Sequence, residues 1–171
     1  MCGICGFTFQ NETLVQRMNR ALAHRGPDQE GVYVNKAVSL GHRRLSIIDL
    51  SEAGRNPMSN KDQTVWIILN GEIYNFQELR EQLLAKGYAF RSKTDTEVVL
   101  HAYEEWGPAC VKKLNGMWAF ALYDKTKNCL MLSRDRLGKK PLYYHYDGKN
   151  LFFASEIKAL LEYPIDRTVD I

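Results

Sequence analysis

Long hydrophobic runs are missing from this 171-residue chain. The longest, Met117–Tyr123, has seven residues, against the roughly 20 that a bilayer-spanning helix needs. No basic segment followed by an apolar one opens the chain, so no secretory signal is read there. Neither sign of charge dominates: 23 Lys and Arg against 20 Asp and Glu leave a net +3. That excess is too mild and too evenly spread to point to nucleic acid. Four cysteines do not make a disulfide scaffold, and a reducing cytoplasm is the expected setting. Repeats, low-complexity tracts and polar linkers are absent. What remains is ordinary globular composition, 45% hydrophobic and 25% charged, which argues against disorder, collagen and coiled coil. One domain fits the length, with a core that needs no metal or disulfide staple.

The hydrophobic period switches between two and 3.6 along the chain, so an α+β domain is expected. Strands are read at Ile4–Phe9, Gly31–Val34, Val38–Ile48 (bent near Arg43), Val65–Leu69, Met117–Asp124, Cys129–Arg134, Leu142–Tyr146 and Leu151–Ala154. Leu14, Met18, Ala21 and Leu22 make a helical stripe. Further helices are predicted over Gln77–Lys86, stopped by Gly87, and over Thr96–Trp106, capped by Thr94 or Asp95. Shorter ones follow at Ala109–Leu114 and Ile157–Leu161, while Asp49–Gln63 reads as a long loop. Asp147-Gly148 signals a hairpin.

Cys2 is the most informative residue by position. Were Met1 removed, Cys2 would carry a free α-amine, putting a thiol and a base in one residue. Such an amine has a pKa near ~7.7–8, so a useful fraction is neutral at neutral pH, and it can serve a thiol nucleophile as its base. Position alone favours an ordinary strand cysteine. Cys2-Gly3-Ile4-Cys5 also has the spacing of redox and zinc pairs. A redox pair should open a helix, whereas this one opens a strand. Zinc needs two more ligands, and His24 and His42 show no paired spacing. Other residues have equally plain readings singly: Arg44 as a strand-edge cation, Asn70-Gly71 as a hairpin turn, Asp95 as a helix cap.

Taken jointly and in order, the segments say more. MCGICGF at 1–7, HRGPD at 24–28, RLSIID at 44–49, NGEIYN at 70–75, TDTE at 94–97, GMWAFALYD at 116–124, RDRLGKKPLYY at 134–144 and ASEIKAL at 154–160 resemble the class II glutamine amidotransferase domain. This N-terminal-nucleophile domain stands at the start of glutamine-hydrolysing asparagine synthetases. RDRLGKKPLYY and ASEIKAL resemble that branch rather than the sugar-phosphate branches.

The resemblance implies a four-layer α-β-β-α sandwich with two antiparallel sheets. It implies Cys2 as nucleophile, Asn70 and Gly71 as the oxyanion-hole pair, and Arg44 as partner of the glutamine α-carboxylate. Glu72 and Asp95 would lie near the α-ammonium. Leu45, Ser46, Ile47 and Ile48 would complete the glutamine site, and Arg25 with Gly26 would order the surroundings of Cys2. The domain is expected over 1–164, with 165–171 beginning a linker to an ATP-pyrophosphatase synthetase domain. ATP and Mg²⁺ are expected there, since this chain has no GxxxxGK[ST] loop and no Ser-Gly-Gly-x-Asp-Ser loop, so no cofactor is expected here. L-glutamine and the synthetase domain are the expected partners, with neither nucleic acid nor membrane, and the longer protein is expected to form a homodimer. Three alternatives stay open: a silent glutamine-binding or docking module, an amidotransferase for an acceptor other than aspartate, and a redox or zinc protein built on Cys2 and Cys5.

Overall fold

The computed structural model describes residues 1–168. Nine strands form two antiparallel sheets. β1 (Gly3–Phe7), β2 (Gln29–Val34), β3 (Ser39–Arg44), β8 (Tyr143–Tyr146) and β9 (Leu151–Ala154) make the first, in the order β2-β3-β1-β9-β8. β4 (Met58–Ser59), β5 (Val65–Ile73), β6 (Gly116–Asp124) and β7 (Cys129–Arg134) make the second, in chain order. The helices are α1 (Glu12–Ala21), α2 (Phe76–Ala85), α3 (Asp95–Trp106) and α4 (Ile157–Leu160).

Side-chain alternation stacks these elements into four layers. Ile4, Leu40, Ile68, Ala119, Ala121 and Phe153 meet between the two sheets. Their chain neighbours turn outward. Cys5 and Phe152 pack with Leu14, Val15 and Met18 of α1, while Ile67, Leu69 and Phe120 pack with Leu79, Leu83, Val98 and Val99 of α2 and α3. The α-β-β-α sandwich follows from this one rule, and each fully buried Leu, Ile or Phe contributes roughly 1.5–3 kcal/mol to it.

The same alternation prepares a polar end in the middle layer. Along β3 the inward positions run Leu40, His42, Arg44, and along β5 they run Ile68, Asn70, Glu72. Each strand goes from hydrocarbon to hydrogen-bonding groups at the same end.

Four expectations change. The strand expected to reach Ile48 stops at Arg44, whose guanidinium binds the carbonyls of Asp49 and Ser51 and folds the chain back. Asn70-Gly71 is not a hairpin turn. β5 runs straight through it to Ile73, paired residue by residue with β6. The loop 49–63 contains a 3₁₀ turn, Glu52–Gly54, and the short strand β4. The helix expected over Ala109–Leu114 is a 3₁₀ segment, Gly107–Lys112, opening with Gly107 at φ +59°. Part of the expected linker, residues 169–171, lies outside the described residues.

Candidate active site

A cavity of about 460 Å³ occupies the polar end of the middle layer, with Cys2, Arg44, Asn70, Gly71, Glu72 and Asp95 in its wall. Residues far apart in sequence thus meet at one place.

Cys2 lies one residue before β1 and on the same face as Ile4. Its Sγ is held by the backbone of one residue, accepting the Leu45 N–H at 3.4 Å and facing the Leu45 carbonyl at 3.7 Å. Burial pushes the thiol pKa up, against the pull of the Leu45 N–H, the chain-terminal charge and Arg44. The sulfur therefore keeps its proton until a base takes it. Cys5, an odd number of residues away, is fully buried on the opposite face against α1. The two sulfurs lie on opposite sides of the sheet, which removes the geometric basis for a redox or zinc pair.

Behind Cys2, Arg25 Nε donates to the Cys2 carbonyl at 2.9 Å, and its Nη1 reaches Glu156 Oε1 at 2.8 Å. Gly26 lies so close to the Arg43–Arg44 peptide that a Cβ would come within 2.4 Å of the Arg43 carbonyl carbon. Only glycine lets the two chain segments approach this closely.

Gly71 owes its role to sheet geometry. Trp118, directly opposite, uses its N–H on Asp135 Oδ2 at 3.2 Å and its carbonyl on the Asp135 N–H at 2.8 Å. Both groups face away from β5, so Gly71–Trp118 is a non-hydrogen-bonded pair. The Gly71 N–H accordingly points to the other edge of β5, where β4 pairs only with Trp66 and Ile67. On that edge Leu69 donates its N–H to Asn56 Oδ1 (3.3 Å) and Ile73 donates its own to Asp95 Oδ2 (2.9 Å). Between them the Gly71 amide faces the cavity. A Cβ at Gly71 would stand 2.4 Å from the Met117 carbonyl oxygen, so the close strand approach requires glycine. Beside it Asn70 is buried, and its Nδ2 has no hydrogen-bond partner among the described residues. Leaving a buried donor unmade costs about 1–3 kcal/mol. Two aimed, unspent donors in a cavity that also holds a thiol can stabilise an oxyanion.

Opposite charges occupy the remaining wall. Arg44 is buried, with Nη1 donating to Gln29 Oε1 (2.7 Å) and to the Ser51 carbonyl (3.0 Å), and Nη2 to the Asp49 carbonyl. All three partners are neutral acceptors. Burial pushes the Asp95 carboxyl up to about 6, against the N–H groups of Ile73, Thr96 and Asp95 itself, and Glu72 adds like charge. Leu45, Ile47 and Ile48 line the mouth, Ile47 being 71% exposed. Ser46 does not line the cavity and gives its N–H to Asp28 Oδ2 at 2.7 Å.

Over residues 1–171 the sequence matches the family described as a glutamine amidotransferase domain. The chain belongs to that family. This amidotransferase domain is 45% identical to asparagine synthetase [glutamine-hydrolyzing] 3 of Bacillus subtilis, covering 98% of the chain and 29% of that protein. It is 42% identical to asparagine synthetase B [glutamine-hydrolyzing] of Escherichia coli, covering 99% of the chain and 31% of the relative. The domain thus spans about a third of the length of these curated relatives. Among solved structures, glutamine phosphoribosylpyrophosphate amidotransferase from B. subtilis superposes with a TM-score of 0.78 over 93% of the chain and 43% of that protein, at 20% identity. That likeness carries the fold alone, and it agrees with the four layers described above. No helix among the described residues is long and apolar enough to cross a membrane.

Three residues of the amidotransferase domain's site were not assigned to it from sequence. His42 is buried in the wall. Its Nε2 donates to the Leu69 carbonyl at 3.0 Å, and burial lowers its pKa to about 4, so it is neutral. Its place on the inward face of β3 was legible from the alternation. Lys140, in RDRLGKKPLYY, is buried with Nζ 3.2 Å from Met1 Sδ. Glu156, in ASEIKAL, gathers Arg25, His24 and Lys158. Burial opposes its charge, but these donors outweigh burial and hold the carboxyl at about 2. Its N-terminal position before a short helix gave no hint of that.

Proposed function

We propose that this chain is a glutaminase: Cys2 attacks the side-chain amide of L-glutamine, releasing ammonia and leaving glutamate. The observation that carries this reading is the unspent Asn70 Nδ2, buried in the same cavity as the Cys2 sulfur. The buried guanidinium of Arg44 suits the substrate carboxylate, since charge-assisted bonds are the stronger class. Asp95 and Glu72 suit its ammonium. The thiol proton passes to the Cys2 α-amine, directly or through a water, and from there to the leaving nitrogen. Sulfur bonds to the amide carbon, and ammonia departs. Water then cleaves the thioester, returning the thiol and yielding glutamate.

With Met1 attached, the Cys2 nitrogen is an amide and has no basicity to offer. The reading therefore requires Met1 to be removed. Protein treated with a methionine aminopeptidase should release equal amounts of ammonia and glutamate from L-glutamine, and protein retaining Met1 should release neither. Equal activity in the two preparations would remove the α-amine from the mechanism.

The ammonia goes, in this reading, to a second domain that uses ATP and Mg²⁺ to activate an acceptor carboxylate. Relatives named as asparagine synthetases support aspartate as that acceptor. Cytoplasmic location is part of the same proposal.

Two results test the substrate contacts. Arg44→Gln removes the positive charge and should raise KM for glutamine about 30- to 150-fold, the equivalent of about 2–3 kcal/mol for a charged hydrogen bond, while kcat changes far less. Asp95→Asn should raise KM at pH 7 and yet melt at a higher temperature than wild type. The sign follows from the raised pKa: between the ordinary carboxylate value of 3.8 and about 6, the folded state holds a proton that the unfolded state has lost. Stability from this group therefore falls as pH rises through that window, and asparagine escapes the penalty. Wild-type KM should also rise as pH drops below about 6. A variant that binds glutamine normally, or melts lower at pH 7, would contradict this assignment.

A further inference from the structure

α3 presents Asp95 in its first turn, and six residues further on it carries a buried charge cluster with no contact to the cavity. His101 is 8% exposed. Its Nδ1 lies 2.6 Å from Glu104 Oε2, and its Nε2 lies 3.8 Å from Glu97 Oε1. Groups from other elements close around it. The rings of Tyr88 and Phe90 sit 5.1 and 4.8 Å away, centroid to centroid. Asn60 Nδ2 donates to Glu104 Oε1 at 2.8 Å, and Arg91 Nε lies 3.8 Å from Glu97 Oε1. The Tyr88 hydroxyl turns to Glu105 (3.3 Å), which pairs with Lys86 (2.7 Å). Burial alone would discharge the imidazole, but the two carboxylates outweigh it and raise the pKa to about 9.

Glu97 spends its oxygens on the segment that leads into Asp95. Oε1 accepts the Arg91 N–H (2.8 Å), and Oε2 accepts the N–H and the hydroxyl of Ser92 (both 2.7 Å). Ser92 Oγ lies 2.8 Å from Thr94 Oγ1, which caps α3 by accepting the Glu97 N–H at 3.2 Å. Lys93 donates its N–H to Asp49 Oδ2 at 2.9 Å, in the turn that holds Arg44. Thr94 and Asp95 then enter the cavity wall.

We infer that His101 is a positioning residue for the ammonium end of the glutamine site. Its imidazolium, hydrogen-bonded to Glu104 and 3.8 Å from Glu97, keeps Glu97 ionised and seated by its charge, and Glu97 fixes residues 91–94 so that Thr94 and Asp95 face the substrate. This rests on the glutaminase reading. Without the cation, the buried Glu97 keeps only the largely exposed Arg91, 3.8 Å away, as counter-charge, and its seat weakens. The segment loosens while Cys2, Asn70 and Gly71, on other elements, stay put. Binding should suffer and the chemical step should not.

The test uses His101→Gln, with Glu104→Gln as a second variant that leaves the ring in place. Active sites are counted with a glutamine-mimicking electrophile, so that misfolded protein does not enter kcat. His101→Gln should raise KM for glutamine at least fivefold with kcat within twofold of wild type. Amide exchange at Ser92–Asp95 should quicken at least tenfold. Glu104→Gln should move both in the same direction by less. In wild type the imidazole proton resonance should titrate near 9 rather than the ordinary 6.5. The raised value means the stabilisation is complete below 6.5 and fades as pH rises through about 9. The melting difference between wild type and His101→Gln should therefore shrink between those values. An unchanged KM, a loss confined to kcat, or a wild-type ring titrating near 6.5 would each overturn the inference. If His101→Gln does not fold, Glu104→Gln decides it: a raised KM with kcat within twofold supports the inference, and an unchanged KM overturns it. If wild type proves inactive on glutamine, the functional reading fails, while exchange and titration still decide the clamp.

Discussion

Replacing Cys2 by serine should cut ammonia release from glutamine about 10³-fold or more. Sulfur is the better nucleophile at neutral pH, and removing a nucleophile that works as a unit with its base loses nearly the whole chemical advantage. Burial already holds the Cys2 thiol above its ordinary pKa, so the site depends on deprotonation during attack, and a serine hydroxyl is far harder to deprotonate. Fold and binding should survive. Cys2 is only partly buried, and its sulfur makes two long contacts with the Leu45 backbone, so the change in stability should stay within about 0.5 kcal/mol. Glutamine should still bind through Arg44 and Asp95, with a dissociation constant within threefold of wild type by calorimetry. Mass spectrometry should find the adduct of a glutamine-mimicking electrophile on wild type and none on Cys2→Ser. A variant retaining a tenth of the wild-type rate would show that another group attacks.

The fold was legible where periodicity was strong. The stripe of Leu14, Met18 and Leu22, the run through Phe120 and the hairpin at Asp147-Gly148 all fall where the sequence places them. Boundaries failed where tertiary partners decide them. Arg44 ends β3 because carbonyls of the next turn surround its guanidinium, and no local pattern announces a side chain captured by its own downstream backbone. Asn70-Gly71 carries the strongest short turn signal, yet β6 pairs with it throughout and makes it strand. The local preference is overridden because pairing continues to Ile73, and the glycine serves close approach rather than a turn.

Candidate site residues came from the ordered segments, not from any one of them. Cys2, Arg44, Asn70, Gly71, Glu72 and Asp95 do converge on one cavity. Ser46 does not, because the chain turns at Arg44 and alternation ceases to govern where 45–48 point. Leu45 contributes through its backbone, which is invisible to residue type. His42 could have been found from its place between Leu40 and Arg44 on one strand face. Glu97, His101 and Glu104 stand at helical spacing on α3 and could have been found the same way, but their closure by Asn60 and Arg91, from other segments, could not.

Asn70→Ala should lower kcat about 10²- to 10³-fold, the range seen when one oxyanion donor is lost, and leave KM within a few-fold. Asn70 Nδ2 is buried with no partner among the described residues, so removing the amide relieves an unsatisfied donor, and the loss of packing is a few atoms. The variant should accordingly melt within a few degrees of wild type, separating a catalytic defect from unfolding. Asn70→Asp sharpens the case, because its size is preserved while a donor becomes a carboxylate facing developing negative charge. It should be at least as slow as Asn70→Ala. If Asn70→Asp kept the wild-type kcat, the side chain would be no donor to the transition state, and the Gly71 N–H alone would have to carry the oxyanion.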